Sequence, residues 1–393
     1  MANTLTALIP TIMTEGLEVL RESCATLSAV NTGYSAAAKE VGDTITIPIP
    51  VAQTAAAVTP SNTPPSNTDT TPTTVTIALD KWKETNFQMS NKDELEISKG
   101  NFVNSQASES IRGLANKIDA DLLATSYSDA GVYNHIGTAG TTPFANEATF
   151  QTNWQKGARK LLRQGLARFG PDISVVMDED AEGNLASLAQ FTDADRRGDA
   201  EGMIEGNLGR KIGANWLVNQ NTPTFTGGTL TDGSSKAALV NGAVSAAATT
   251  MAIDASSLSG TLVDGDVFTV AGVTGYFMVT NGTLTASGNA IAAVNFTPAA
   301  PTGGFADNAA VTFAGDHVVN LAFHRNAFAL AFAPIQDTGN VTNTKLQESI
   351  VDPISGITLR MTISEEHYQT TWRWDVLYGV QCVRPVMACR ILG

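Results

Sequence analysis

The sequence is poor in charged residues, and the charge it carries is mostly negative. Charged side chains make up 16% of the 393 residues, with 24 Lys and Arg against 38 Asp and Glu, so the formal net charge is −14. Because phosphate binding needs Lys and Arg, this balance excludes a protein that wraps nucleic acid with its whole surface. A weakly charged surface on so long a chain indicates that other molecules, such as further copies of the chain, cover part of it.

Cysteines and long apolar runs are also scarce. Three cysteines without close pairs argue against a disulfide framework. If Cys382 and Cys389 shared one extended strand they would lie about 23 Å apart, so we expect free thiols. The apolar run at residues 327–335 is far shorter than a membrane-spanning helix. No Lys or Arg precedes Arg21, so we expect no signal peptide and a soluble, cytoplasmic chain.

The sequence contains no complete motif for catalysis, metal binding or cofactor binding. Four residues resemble the start of a calcium-binding loop: Asp178, Asp180, Glu182 and Gly183. The twelfth position of that loop needs a bidentate Glu and here is Ala189, so these carboxylates are better interpreted as the acidic start of a helix. Three spaced glycines match no phosphate-binding pattern and are interpreted as turn residues; they are Gly206, Gly209 and Gly213. None of the four histidines has zinc-site spacing; they are His135, His317, His324 and His367. For His324 we expect a structural hydrogen bond. The G-x-S-x-G motif of a nucleophilic serine is also absent, so the sequence assigns no catalytic, cofactor-binding or metal residue.

Basic residues form one modest cluster on a predicted helix. Spacings of three and four place four of them on one side; they are Lys156, Arg159, Lys160 and Arg163, with Arg168 following. The cluster is either a solvated face or a surface for phosphate or acidic groups. The pairs Arg196–Arg197 and Arg210–Lys211 are equally ambiguous.

Hydrophobic periodicity predicts two long helices. One at residues 106–127 has an apolar stripe at helical spacing, with Asp119 and Asp121 turned away from it; the stripe is Ile111, Leu114, Ala115, Ile118 and Leu122. A second is predicted at 147–168, with Trp154, Ala158, Leu161, Leu162 and Leu166 on its stripe. A strand at 172–178 and a helix at 180–190 follow.

The N-terminal part predicts an arm and a projecting hairpin. Residues 1–22 carry a short helical pattern with no neighbour to fold on. Strands at 44–51 and 75–82 flank the segment 52–74, which is rich in Thr and Pro, has one acid and lacks Lys and Arg. Such a composition cannot build a core, so we expect the tip of an extended hairpin.

Residues 227–313 differ sharply in composition from the rest. They contain five Asp, one Lys and no Glu, Arg or His. Short β-type runs alternate with turn signals such as Asp264–Gly265 and Asn281–Gly282. We interpret this segment as an all-β module inserted in an α+β host, and three closing runs, 321–335, 355–380 and 381–392, as long strands.

This order of elements resembles the major capsid proteins of tailed bacteriophages with the HK97-like fold. It is most similar to the coat proteins of short-tailed Salmonella phages, which carry an inserted β-barrel. The matching segments are LTALIPTIMTEGLEVLRE, ISKGNFVNSQASESIRGLANKIDADLLATSY, GNLGRKIGANWLVNQNTP, DGDVFTVAGV, LAFHRNAFALAFAPI and WRWDVLYGVQCVRPVMACRIL. Each is weak alone, but together they follow the family's order over nearly the whole chain.

The resemblance implies a structural, non-enzymatic shell subunit. It would assemble with itself into hexamers and pentamers of an icosahedral procapsid, with a scaffolding protein, a portal at one vertex and an optional decoration protein as partners. The shell would expand around double-stranded DNA that it touches only weakly, assembling in the bacterial cytoplasm without membrane or cofactor and ending in the virion.

The resemblance also implies a division of the chain. The expected parts are an N-terminal arm (1–43), an extended hairpin or E-loop (44–92), a P-domain with the spine helix (93–170), an A-domain in two parts (171–226 and 314–356), the inserted barrel (227–313) and C-terminal P-domain strands (357–393).

One departure concerns covalent joining of subunits. Some proteins with this fold form a Lys–Asn isopeptide bond from a lysine on the hairpin. Residues 52–74 contain no lysine, and Lys81 and Lys83 lie near the hairpin's base, so we predict a shell without crosslinks.

Three other interpretations stay open at this point. A shell protein of an encapsulating compartment shares the fold but not the phage-type insert. A β-rich surface or adhesion protein would suit the Thr- and Ala-rich insert but not the long helix. An enzyme with scattered carboxylates would need a geometry that the sequence cannot show.

Overall fold

The computed structural model describes residues 26–34, 44–50, 60, 71–92, 102–127, 131–132, 134–164, 172–193, 208–233, 235–335, 344–351 and 357–393. The predicted arm helix at 1–22 lies outside these ranges, as does the predicted hairpin tip except for residues 60 and 71–74. Five α-helices are described: α1 (Phe102–Ala124), α2 (Glu147–Phe150), α3 (Arg159–Gln164), α4 (Glu179–Ala186) and α5 (Ala189–Thr192).

The long helix α1 confirms the strongest sequence prediction. It begins at Phe102, slightly earlier than expected, and a short 3₁₀ turn, Thr125–Tyr127, follows it. All five residues of its predicted apolar stripe are at most 3% exposed. The expectation for Asp119 is wrong, because its carboxylate is 1% exposed and hydrogen-bonded inside the protein.

The second predicted helix runs continuously over residues 147–164, and its expected end at 168 lies outside the described residues. A π-helical segment, Gln151–Ala158, joins α2 to α3. Asn146 caps the start by accepting a hydrogen bond from the Thr149 amide at 2.9 Å. Trp154 and Leu162 of the predicted stripe are fully buried. The helix expected at 180–190 is two helices, α4 and α5, because Leu188 between them adopts an extended backbone.

A two-stranded hairpin and a five-stranded sheet form the first β layer. In the hairpin, β1 (Thr44–Ile49) pairs antiparallel with β2 (Thr73–Ala78), as the sequence predicts. The sheet has the order β20–β23–β22–β21, and β3 pairs along the other side of β23. Its strands are β3 (Lys81–Ser90), β20 (Phe328–Ala333), β21 (Thr344–Val351), β22 (Thr358–Glu366) and β23 (Gln369–Cys382). The strand predicted at 75–82 is wrong as one unit, because Leu79–Asp80 separates β2 from β3.

A mixed sheet forms the second layer, in the order β4–β24–β19–β5–β7–β6, with β8 paired to β19. Its strands are β4 (His135–Gly137), β5 (Ile173–Met177), β6 (Arg210–Lys211), β7 (Ala214–Val218), β8 (Thr224–Phe225), β19 (His317–His324) and β24 (Ala388–Leu392). Strands β5 and β24 are both antiparallel to β19, so they run in the same direction.

A closed six-stranded barrel forms the third layer, in the order β10–β11–β17–β15–β14–β18. Its strands are β10 (Ala237–Val240), β11 (Thr250–Asp254), β14 (Val267–Val270), β15 (Phe277–Val279), β17 (Ala290–Thr297) and β18 (Ala310–Phe313). Two small strand pairs flank it, β9 (Thr231–Asp232) with β12 (Leu258–Ser259) and β13 (Thr261–Leu262) with β16 (Leu284–Thr285). The all-β insert predicted from composition is therefore present. Barrel closure leaves no exposed sheet edge.

The largest hydrophobic core is shared by α1, the five-stranded sheet and the mixed sheet, and includes Ile118, Trp374 and Phe323. The hairpin packs on β20 in a smaller cluster. Another packs the helix at 147–164 on the mixed sheet. The barrel interior is filled by five aromatic rings, and their mutual contacts stabilise it. They are Phe268, Phe277, Phe296, Phe305 and Phe313.

The prediction of three long closing strands is wrong, since each run contains a break. A 3₁₀ turn, Arg325–Ala327, separates β19 from β20, and another, Pro385–Met387, separates β23 from β24. His367 and Tyr368 make a two-residue turn with φ of 48° and 61° between β22 and β23. Cys382 and Cys389 therefore sit on different strands, as buried free thiols whose pKa burial raises, to about 12 for Cys382.

Candidate functional site: internal junctions and the open sheet face

The residues singled out as calcium-loop-like begin a helix. Asp178 immediately precedes α4, and Asp180 and Glu182 lie in its first turn, while Ala189 belongs to α5. Within the described ranges no group of three His, Cys, Asp or Glu side chains is arranged to hold a metal ion. Negative side chains at this position interact favourably with the helix dipole.

The glycines and most histidines have structural positions. Gly213 has φ of 83° in the tight turn between β6 and β7, and Gly206 lies outside the described residues. His324 accepts a hydrogen bond from the Asn326 amide at 3.2 Å, the structural role expected of it. His135 is buried in β4, and His367 is exposed in the β22–β23 turn.

The basic cluster lies on the surface of the helix at 147–164. Lys156, Lys160 and Arg163 are exposed and Arg159 is partly exposed. The pair Arg196–Arg197 and Arg168 lie outside the described residues. Arg210 and Lys211 form β6.

A buried carboxylate ties α1 to two distant segments. The Asp119 carboxylate accepts hydrogen bonds from the Thr26 hydroxyl and from Asn219 Nδ2, the latter at 2.8 Å. All three residues are at most 5% exposed. A buried charge persists only when it is paired or hydrogen-bonded, so this cluster fixes α1 against the end of β7.

Two residues further along α1, Asp121 accepts a hydrogen bond from the buried Tyr378 hydroxyl at 2.7 Å and pairs with Lys117 at 2.6 Å. Although burial opposes the shift, these two hydrogen bonds hold the pKa of Asp121 below its ordinary value. The contact joins the helix to the central strand of the five-stranded sheet.

The five-stranded sheet packs one face on α1, and much of the other face is open. On the open face, the Trp82 indole donates to Asp375 Oδ2 at 2.7 Å and lies 5.8 Å from the Arg360 guanidinium. Arg360 in turn pairs with both carboxylate oxygens of Asp375. Trp82 is nevertheless 57% exposed. A large aromatic ring held rigidly at the surface is typical of a protein contact.

Where the barrel meets the host, the Tyr276 hydroxyl donates to the Gly137 carbonyl at 2.9 Å, and a buried carboxylate holds the loops of the barrel module together. The Asp266 carboxylate accepts hydrogen bonds from the Gly228 amide at 3.1 Å and the Val263 amide at 2.7 Å. Burial raises its pKa despite these bonds. Neighbouring Gly265 has φ of 90°, and a Cβ there would lie 2.6 Å from the Tyr127 carbonyl oxygen, so only glycine permits this close approach to the end of the spine.

At the centre of this junction lies Arg390, which is 0% exposed. Its Nη2 donates to His317 Nε2 at 3.0 Å, and its guanidinium lies over the rings of Phe225 and Tyr127 at 5.2 and 5.9 Å. Because Nε2 accepts, the ring proton is on Nδ1, which donates to the Gly315 carbonyl at 2.8 Å. Burial together with the Arg390 charge lowers the pKa of His317 to about 4, and burial lowers that of Arg390 to about 9.

These clusters hold elements together, and the arrangement gives them a mechanical role. Each joins segments distant in sequence: α1 to β7, α1 to β23, and the Gly265 turn of the barrel module to β24, where Arg390 Nη1 donates to the Gly265 carbonyl at 3.5 Å. Sequence reasoning missed Arg390, Asp119 and Trp82. A basic residue inside the apolar run around Arg390 was the one signal that could have pointed to the junction.

Within the described ranges, no helix combines the length and the apolar character needed to span a membrane. No protein-family model and no curated protein matches the chain.

Solved structures do match. A chain of Mycobacterium phage Che8 is 16% identical, covers 92% of this chain and 89% of its own length, and has a TM-score of 0.50. The capsid structure of the cyanophage P-SCSP1u is 14% identical, with 92% and 85% covered and a TM-score of 0.48. The mature capsid of bacteriophage PhiM1 is 11% identical, with 92% and 87% covered and a TM-score of 0.47. The particular likeness to short-tailed Salmonella phages stays a prediction.

The architecture described above, an α1 spine on an antiparallel sheet, a two-stranded hairpin and a mixed sheet, corresponds to the expected one. The chain has the HK97-like fold of tailed-phage capsid proteins, with a closed six-stranded barrel inserted in it.

Proposed function

We propose that the protein is the structural subunit of an icosahedral phage head, with no enzymatic role. The observation that carries this proposal is the HK97-like fold over nearly the whole chain. The internal clusters support it, because they connect rigid layers and leave the exposed Trp82 on the open face of a sheet for contacts with other molecules.

Two features suit assembly with copies of the same chain. The exposed Trp82 is held by Asp375 and Arg360, so docking against it costs little side-chain entropy. The α1 helix is about 34 Å long by its 23 residues and is tied at Asp119 and Asp121. A rigid bar of this kind can carry rotation of whole layers between two states of a shell.

The steps of assembly proposed here are those implied by the resemblance of the sequence to tailed-phage capsid proteins. Hexamers and pentamers form a procapsid around a scaffolding protein, with a portal at one vertex, and the shell expands as double-stranded DNA enters. Assembly takes place in the bacterial cytoplasm, the product is the virion, and a decoration protein is an optional partner. The net charge of −14 keeps contact with DNA weak. The domain ranges given above belong to the same proposal.

The test is to express the full chain alone and with a candidate scaffolding protein, followed by sedimentation and negative-stain microscopy. Closed particles some tens of nanometres across are the expected result. A stably folded monomer that never assembles under either condition would overturn the proposal. DNA-filled particles with a portal, in infected cells, would separate a phage head from an encapsulating compartment.

A further inference from the structure

A slot on the mixed-sheet layer is lined by cationic and amide side chains. It has a volume of about 370 Å³, and its described lining residues are Gln155, Arg159, Lys160, Arg163 and Gln164. Each of these side chains donates hydrogen bonds, and none is acidic. The slot is therefore suited to carboxylate or other anionic groups.

The charge around this slot is incompletely neutralised. Lys156 and Lys160 are exposed, and neither has an ion-pair partner within the part of the chain that the structure describes. On a chain of net charge −14, such a basic face is a local exception. A complementary charge on another molecule can therefore pair with these two lysines.

The same layer carries an acidic surface. Helix α4 begins with Glu179, Asp180 and Glu182, of which the first two are exposed. None of the three pairs with a cation among the described residues. The acidic surface of one chain is thus a chemical match for the basic slot of another.

The two surfaces lie at opposite ends of β5. Helix α4 begins two residues after Met177, at the carboxyl end of this strand. Helix α3, which carries the slot, contacts the turn Pro385–Met387. That turn enters β24, which runs parallel to β5, so it lies at the amino end. The five residues of β5 span about 17 Å, too far for the surfaces to pair within one chain.

We propose that the basic slot of one copy receives the acidic start of α4 from the next copy. This inference rests on the proposed shell function and names the contact between neighbouring subunits within a capsomer. Two different surfaces of one chain that complement each other make a head-to-tail interface, which forms a ring when the rotation between successive copies closes. A nucleic acid is the less favoured occupant, because it would bring no match for the acidic surface.

Charge reversal on either side tests the contact. Lys156→Glu with Lys160→Glu places like charges across the interface, and so does Glu179→Lys with Asp180→Lys. Each double variant should reduce the yield of particles at least about tenfold, since facing like charges cost well over 1.4 kcal/mol. A chain carrying all four substitutions should assemble, because the charges again match in exchanged positions.

Control variants separate this effect from net charge. Lys92→Glu with Arg112→Glu makes the same charge change as the first variant, and Asp307→Lys with Glu366→Lys makes the same change as the second. All four control positions are exposed and lie on other parts of the fold. Both controls should assemble like the unmodified protein. Thermal melting of each unassembled subunit checks that the variants are folded.

Mixing the two reversed variants gives a second readout. The variant with the reversed slot has two acidic surfaces, and the variant with the reversed start of α4 has two basic ones. Every contact in a ring that alternates the two variants is therefore favourable. Alternation is possible in a six-membered ring but not in a five-membered one, so the mixture should form hexamers, sheets or tubes and few closed shells.

The outcomes are distinguishable from failure of the proposed function. If the unmodified protein never assembles, the shell function fails. If it assembles and the reversed variants assemble equally well, the shell function stands and the proposed contact is wrong. If empty shells form normally but lose packaged DNA, the slot faces nucleic acid and the contact is again wrong.

Discussion

Acidification should weaken the junction between the barrel and the host through His317. This side chain is 2% exposed, accepts from Arg390 at 3.0 Å and has a pKa lowered from 6.5 to about 4 by burial and by that cation. The folded state therefore holds His317 neutral while the unfolded chain takes up a proton below pH 6.5. Stability is lost as pH falls from about 6.5 to about 4 and changes no further below that.

The size of the effect follows from the two pKa values. At pH 4.5 the unfolded chain has gained a proton at His317 and the folded chain mostly has not. With about 1.36 kcal/mol for each pH unit in this interval, the free energy of unfolding should fall by about 2–3 kcal/mol between pH 7 and pH 4.5. Asp266, whose pKa is raised by burial, acts in the opposite direction near the lower end of this interval.

The assay is urea unfolding of the unassembled subunit at pH 7 and pH 4.5, compared with His317→Gln. Glutamine keeps an acceptor for Arg390 but does not titrate, and Asp266 contributes equally in both proteins. The pH-dependent loss should therefore be about 2–3 kcal/mol smaller in the variant. An identical loss in both proteins would refute the placement of a neutral His317 beside Arg390.

Three further predictions concern the spine, the junction and the shell. Asp119→Ala leaves two buried donors unpaired and should lower the free energy of unfolding by about 2–4 kcal/mol, while Asp121→Ala costs about 1 kcal/mol; equal losses in urea unfolding would contradict the buried cluster. Gly265→Ala forces a methyl group against Tyr127 and should lower the free energy of unfolding by about 2–4 kcal/mol. The control Gly282→Ala should lower it by about 1 kcal/mol, because φ there is positive but no atom lies within 4 Å. A larger loss of thermal stability in Gly282→Ala than in Gly265→Ala would contradict this reasoning. Mature particles boiled in SDS should run as monomers, and covalent ladders would show that subunits are crosslinked.

Local pattern was enough to predict most elements of the fold. The apolar stripe of α1 recurs at helical spacing, so it needs no information from the rest of the chain. The turn at Asp264–Gly265 and the charge-poor insert were equally visible, because a tight turn and a β-rich module depend on nearby residues. The breaks at Leu79–Asp80 and His367–Tyr368 were missed, since residues typical of strands continue on both sides of each break.

The polar clusters that position the layers were decided only by the tertiary structure. Asp119 meets Asn219 across 100 residues, and Arg390 meets His317 across 73. In the sequence each is a polar residue expected at the surface, because burial of a charge is favourable only when distant partners supply its hydrogen bonds. The sequence by itself thus determined the spine helix, the paired hairpin strands and the all-β character of the insert. Which charges are buried between the layers, and which remain exposed for a neighbouring copy, depended on how those layers pack.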